Sequence, residues 1–202
     1  MKIKYNSICV CGVDGTGKST IVKMIADMFE NETSVVQYMG QKNWETRIAK
    51  FIAENPLKVI RIVRPIAVIV EYYYRVYKHN GLKKIVIFDR YVDELMISLI
   101  DAKGWKRRIV AKMYKFFLGN KFYHPTITFY LTCDIEISLS RKDDIKSNDQ
   151  IESLKKIKRK LDEYYINKET VVINTGLNSI ENTLKIIKNN LQMDQYFCTF
   201  LI

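Results

Sequence analysis

Two short groups of residues have the types and spacing to do chemistry. The first is Gly12-Val13-Asp14-Gly15-Thr16-Gly17-Lys18-Ser19, which follows the pattern G-x-x-x-x-G-K-[ST]. Glycines let such a run curl until its backbone N–H groups point inward, where they suit phosphate oxygens. Lys18 would reach the outer phosphates as a point charge, and the Ser19 hydroxyl would ligate Mg²⁺. The second group is Asp89-Arg90, which follows the apolar run Ile-Val-Ile-Phe. A carboxylate at a strand tip near a phosphate loop can hold Mg²⁺ or its water. The planar fork of an arginine beside it matches a second anion. The expectation is that Asp89 handles the metal or the acceptor oxygen and that Arg90 clamps an anionic acceptor.

These groups need elements to position them, and the hydrophobic pattern supplies a set. Asn6 to Cys11 reads as a buried strand, and Ile21, Val22, Ile25, Met28 and Phe29 recur at helical spacing after the phosphate loop. Strands are expected at Thr33–Tyr38, Lys84–Phe88, Thr126–Leu131 and Val171–Ile173. Between them lie helical patterns over Trp44–Glu54, a long stretch to about Tyr77 with a possible kink at Pro65, Val92–Lys103, Trp105–Leu118, Ile135–Arg141, Ile151–Tyr164 and Ile180–Leu191. Strands alternating with helices imply an α/β fold: a three-layer P-loop arrangement, with a five-stranded parallel sheet and helices on both faces. Ligands in such sheets bind beyond the carboxyl ends of the strands, which is where both groups fall. The 202 residues are expected to form one domain, 1–202.

Composition narrows the function further. The formal charge is +11, with 33 basic against 22 acidic residues, which favours polyanionic partners. Phosphorylated small molecules fit the two groups above. Nucleic acid does not, since no aromatic-basic motif of a known binding module is visible. The most basic stretch, Lys155 to Lys160, keeps apolar residues at helical spacing and reads as a solvated helix face. Val59 to Tyr74 is interrupted by Arg61, Arg64, Pro65 and Glu71 and is too broken to span a bilayer. Cys9, Cys11, Cys133 and Cys198 show no zinc or redox spacing, so reduced thiols in the cytoplasm are expected. His79 and His124 stand apart from any ligand-like cluster. A GTPase switch is disfavoured: Thr132-Cys133-Asp134, not Asn-Lys-x-Asp, follows the fourth strand, and Asp89 lacks a glycine three residues on.

With these residues in view, the chain resembles the thymidylate kinase family of nucleoside monophosphate kinases. The likeness rests on Gly12-Val13-Asp14-Gly15-Thr16-Gly17-Lys18-Ser19-Thr20 and on Asp89-Arg90-Tyr91, and more softly on the order of elements over about residues 5 to 191. The resemblance implies an enzyme that moves the γ-phosphoryl of ATP, with Mg²⁺, onto a nucleoside monophosphate, dTMP first. It implies that Gly12, Asp14, Gly15, Thr16, Gly17, Lys18, Ser19 and Thr20 bind ATP, with Ser19 and Asp89 on the metal. It further implies that Asp14 meets the acceptor sugar, that Arg90 and Tyr91 bind the acceptor, and that Asn174 and Thr175 lie near adenine. A lid over about residues 141–150 would bring Arg141, Lys142 and Lys146 to the phosphates, because the loop position some members give to an arginine is Gly15 here. The family is commonly homodimeric.

The chain also departs from the pattern. Cys11 stands where family members usually have a glutamate, and Tyr38-Met39-Gly40-Gln41-Lys42 replaces the Arg-Glu-Pro common in bacterial members. Arg47 or Lys42 could take over the lost phosphate contact, and the sequence does not choose between them. Tyr72, Tyr73, Tyr74 and Arg75 could stack a base and grip a phosphate, although tyrosine clusters more often serve as core. Two rivals remain: a kinase of another small acceptor such as a deoxynucleoside, and a non-catalytic nucleotide-binding or nucleic-acid-associated ATPase module.

Overall fold

The computed structural model describes residues 7–29, 33–37, 46–54, 60–80, 85–91, 94, 97, 104–118, 125–142 and 147–197. In chain order the elements are β1 (Ser7–Gly12), α1 (Lys18–Met28), β2 (Thr33–Gln37), α2 (Arg47–Glu54), α3 (Ile60–Asn80) and β3 (Ile85–Asp89). They continue with α4 (Trp105–Leu118), β4 (Ile127–Thr132), α5 (Ile135–Ser140), α6 (Asn148–Ile166), β5 (Val171–Asn174) and α7 (Ile180–Phe197).

All strand pairs are parallel, and the sheet order is β2-β3-β1-β4-β5. The packing of β3, β1, β4 and β5 is described in full; for the edge strand β2 only the backbone is. β1 is central and every one of its residues is buried, which explains its unbroken apolar run. Its neighbours β3 and β4 belong to opposite halves of the chain. The crevice beyond its carboxyl end is thus the switch point of the topology, where α/β sheets bind ligands.

The two faces of the sheet carry separate cores. On one, Ile8, Val10, Ile87, Phe129, Leu131 and Ile173 pack against Ile21, Val22 and Ile25 of α1 and Ile187 and Leu191 of α7. On the other, Cys9, Cys11, Val86, Phe88 and Tyr130 meet Ile69 and Tyr72 of α3, Tyr114 of α4, and Leu154, Leu161 and Tyr165 of α6. This is the strand alternation made physical: neighbouring residues face opposite layers. Cys9 and Cys11 share a face, as their spacing requires, and like Cys133 they are buried and not in disulfides. Cys198 lies outside the described residues.

Most differences from the sequence expectation are shifts at element ends. β3, β4 and β5 each run one residue later at the carboxyl end than the apolar runs suggest. Parallel register extends the ladder beyond the apolar residues: Val10 pairs with Asp89, and Thr132 pairs with Asn174. α3 continues through Pro65 as a single 21-residue helix. α6 starts at a capping box: the Ser147 hydroxyl accepts from Gln150 N at 3.3 Å, while Ser147 N donates to Gln150 Oε1 at 3.0 Å. α7 extends into the apolar tail as far as Phe197. The segment Tyr38–Lys42 and most of the helical pattern over Val92–Lys103 lie outside the described residues. No described helix is long and apolar enough to cross a membrane.

Phe129 is fully buried between β1 and β5. Phe129→Ala is expected to destabilise the fold by about 3–5 kcal/mol through lost transfer energy and a cavity. Urea unfolding would check this, and a loss below about 1 kcal/mol would contradict the two-layer packing.

Candidate active site

The phosphate loop leaves β1 in a conformation that only glycine tolerates. Gly12 has φ 144°, and a β-carbon on it would meet the Leu131 carbonyl oxygen of β4 at 2.1 Å. Gly15 has φ 82°, and a β-carbon there would lie 2.4 Å from the Ser138 carbonyl oxygen of α5. The Ser138 hydroxyl donates to the Asp14 carbonyl oxygen, so α5 is seated directly on the loop. A larger residue at position 15 has no room while α5 sits there. Gly17 then caps α1 in the left-handed conformation, with no side-chain cap on the first helical amides. Those N–H groups are left for an anion at the positive end of the helix.

A cavity of about 900 Å³ opens above this loop. Asp14, Gly15, Thr16, Gly17, Lys18, Ser19 and Thr20 form its floor, Asp89 and Arg90 one wall, and Arg141, Lys142 and Thr175 another. The two groups read from the sequence therefore meet in space. Ser19 Oγ lies 3.5 Å from Asp89 Oδ2. The Arg90 guanidinium donates to the Asp14 carboxylate through Nη2 and to Glu94 Oε2 at 3.0 Å through Nη1. Arg141, the C-cap of α5, reaches Thr175 O at 3.0 Å and Gly15 O at 3.4 Å. It thereby bridges the phosphate loop and the loop after β5.

The charges in this space shift one another. Burial drives the Lys18 pKa down to about 8, and the Arg90 charge adds to the fall, against Glu94, Asp14 and Asp89. Lys18 is 5 % exposed and donates to the Val13 carbonyl oxygen. Burial works against the Asp14 carboxylate, but Arg90, then Lys18 and Lys142, hold it below the ordinary range. Burial likewise opposes the Arg90 charge, and Glu94 and Asp14 raise its pKa above the usual value.

The site fits a nucleotide with a divalent cation. Among the described residues no group of three or more His, Cys, Asp or Glu could hold a metal alone. A hydroxyl beside one carboxylate suits a magnesium ion whose remaining ligands are phosphate oxygens and water.

Other expected site residues sit elsewhere. Tyr72 and Tyr91 are each 2 % exposed in the core beneath the sheet, Tyr91 edge-on to Phe88 at 5.4 Å. Their large rings are used for packing and do not line the cavity. Arg75 is buried against Glu71, Nε to Oε1 2.9 Å, and does not line it either. Arg47 is exposed at the start of α2, away from the lining. Asn174 turns its Oδ1 onto Gly176 N at 2.9 Å and so shapes the loop after β5, leaving Thr175 on the wall. Lys42 and Lys146 lie outside the described residues. Sequence reasoning missed Asn178, Ser179 and Thr183 on the cavity wall, and the buried Glu94 behind it. Only Glu94 left a trace, four residues after Arg90 at helical ion-pair spacing.

A bound triphosphate favours the charged form of Lys18. Below pH about 8 the lysine is already protonated, so affinity is flat; above it, binding must take up a proton, and affinity falls as pH rises by up to about tenfold per unit. Calorimetric ATP titrations from pH 7 to 9.5 are expected to show this fall in the native chain and to lose it in Lys18→Ala. A native affinity level across that range would contradict the assignment.

A family model for thymidylate kinases matches residues 10–187. The thymidylate kinase of Wolbachia pipientis wMel is 26 % identical over 140 residues, covering 66 % of this chain and 70 % of that one. Among solved structures, thymidylate kinase from Candida albicans superposes with a TM-score of 0.69 at 16 % identity, covering 96 % of this chain and 94 % of the other. Deoxyadenosine kinase from M. mycoides, solved with dCMP and dCDP, gives 0.61 at 17 % identity, covering 93 % and 99 %. The family match spans most of the chain and both chemical groups, and the low identities mark its distance from these relatives: the chain belongs to the thymidylate kinase family as a divergent member.

Proposed function

We propose that this protein transfers the γ-phosphoryl group of ATP to a nucleoside monophosphate, with dTMP as the first candidate. The observation that carries this reading is the placement of Arg90. Its guanidinium lines the same cavity as the phosphate loop and joins Asp14 of that loop. Two anion-receiving groups thus line one cavity, as a transfer between two phosphorylated molecules needs. Phosphoryl transfer asks little covalent chemistry of the protein; it asks for alignment and for charge to meet the transferring group.

Each residue then has a part. The loop amides and Lys18 take the β- and γ-phosphates. Ser19 and Asp89 would hold Mg²⁺, which would supply positive charge to offset that of the phosphates. Arg90 exchanges the Asp14 carboxylate for the phosphate of the acceptor, and Asp14 becomes free to meet the acceptor sugar. Arg141 and Lys142 close from the α5 side and exclude water, which strengthens every charge contact inside. With α5 occupying the space beside Gly15, Arg141, Lys142 or Lys146 would supply the extra positive charge; Arg141 and Lys142 line the cavity, which supports this reading.

A second reading is a deoxynucleoside acceptor. Arg90 already carries two carboxylate partners, so its corner of the site offers less net attraction to a dianion than a lone arginine would. The similarity of fold to a deoxyadenosine kinase agrees with this reading.

A coupled ADP-release assay with dTMP, dUMP, UMP, CMP and thymidine offered separately decides between them. Turnover with dTMP is expected, and Lys18→Ala and Arg90→Ala should each lose most of it, by about a hundredfold or more, while remaining folded. Wild-type rates in either variant would defeat the assignment, and thymidine turned over in preference to dTMP would establish the second reading. We also take the cytoplasmic protein to be a homodimer, for which Tyr73, Tyr74, Phe116 and Phe117 on α3 and α4 expose apolar surface. Sedimentation velocity should give twice the 23.8 kDa chain mass; a monomer at all concentrations would refute this.

A further inference from the structure

Glu94 is a carboxylate buried behind a site built for anions. It is 9 % exposed, and both oxygens are committed. Oε1 accepts from Gly12 N at 3.0 Å, and Oε2 accepts from Arg90 Nη1 at 3.0 Å. A negative group placed there works against phosphate binding through its charge, so its value must lie in what it holds. Arg90 is also the one described non-glycine residue with positive φ, at 71°. That conformation persists only where the surroundings over-determine it. Arg90 N donates to Val10 O at 2.8 Å, which fixes the backbone to β1. Glu94 N donates to Tyr91 O at 3.1 Å, and the Glu94 carboxylate meets the guanidinium.

We propose that Glu94 is a positioning residue: its carboxylate ties the first amide of the phosphate loop to the Arg90 guanidinium, and so sets where the acceptor's anionic group is received relative to the triphosphate. This rests on the reading of Arg90 as the acceptor's anion site. The charged groups facing Glu94 are Arg90 from the end of β3 and Lys18 from α1, with the Gly12 N–H from the end of β1. Asp14 competes from the far side of Arg90. Two carboxylates from different loops thus pin one guanidinium. When an acceptor displaces Asp14, Glu94 stays and keeps the fork aimed.

Glu94→Gln tests this with little change of volume. An amide has one acceptor and one donor group, so it can serve Gly12 N–H or Arg90 but not both, and its NH₂ then faces a donor. The Michaelis constant for the acceptor monophosphate should rise about tenfold, with that for ATP changing less than about twofold. In protein labelled with ¹⁵N-arginine, the Arg90 Nε–Hε signal, assigned by its loss in Arg90→Lys, should shift and exchange faster with solvent. Glu94→Asp, which keeps the charge on a shorter stem, should fall between wild type and Glu94→Gln in both measurements; it serves as the test if the glutamine variant does not fold. An unchanged Arg90 signal overturns the proposal. So does an equal rise in both Michaelis constants with a lowered melting temperature, which is the mark of a merely structural residue. If the native chain phosphorylates no nucleotide, the proposed function fails, and the Arg90 signal by itself still decides whether Glu94 holds the guanidinium.

Discussion

The close approach of the phosphate loop to its neighbours governs the rest of the site. At Gly12 the loop passes so near β4 that only a hydrogen fits against the Leu131 carbonyl, and at Gly15 it passes equally near α5. Because β1 is buried along its whole length, the loop's starting point is rigid. Its end is fixed by α1, whose Ile21, Val22 and Ile25 are locked into the layer above the sheet. A loop pinned at both ends and crowded in the middle has its amides arranged before any ligand arrives. That preorganisation is what makes donors effective, since no reorganisation is needed at the moment of binding.

The charges follow from the same crowding. Lys18 and Glu94 are both mostly withdrawn from water, and a desolvated charge is costly unless it is paired and hydrogen-bonded. The chain meets this demand with alternating signs: Lys18 near Asp14, Asp14 on Arg90, Arg90 on Glu94. Glu94 returns to the loop through the Gly12 amide. The result is a closed ring of contacts around the switch point of the sheet, in which each charge has a partner. The lowered pKa of Lys18 follows from its burial and from the Arg90 charge in this ring.

α5 links the loop to the far side of the cavity. It is only six residues long, yet it touches the loop through Ser138 and its C-cap, Arg141, spans to Thr175. The loop after β5 is thereby tied to the phosphate loop through one short helix and its cap.

Much of this was legible in the residues themselves. The glycine spacing, Lys18, Ser19 and the Asp89-Arg90 pair, which the fold brings to one cavity, stand out in the chain because backbone freedom and side-chain type at fixed spacing are local properties. The alternation of apolar runs with helical patterns identifies the layered parallel sheet for the same reason. What the sequence could not decide is which distant side chains face the cavity. Tyr72 and Tyr91 have the right chemistry for a base, yet burial of large rings in the lower core took precedence. Arg75 could grip a phosphate, but a buried carboxylate one helical turn away claims it. Glu94 looks like an ordinary acidic residue until the fold brings Gly12, 82 residues away in sequence, against it. Local spacing is written in the chain; partners across the sheet are chosen only when strands pair and the two cores close.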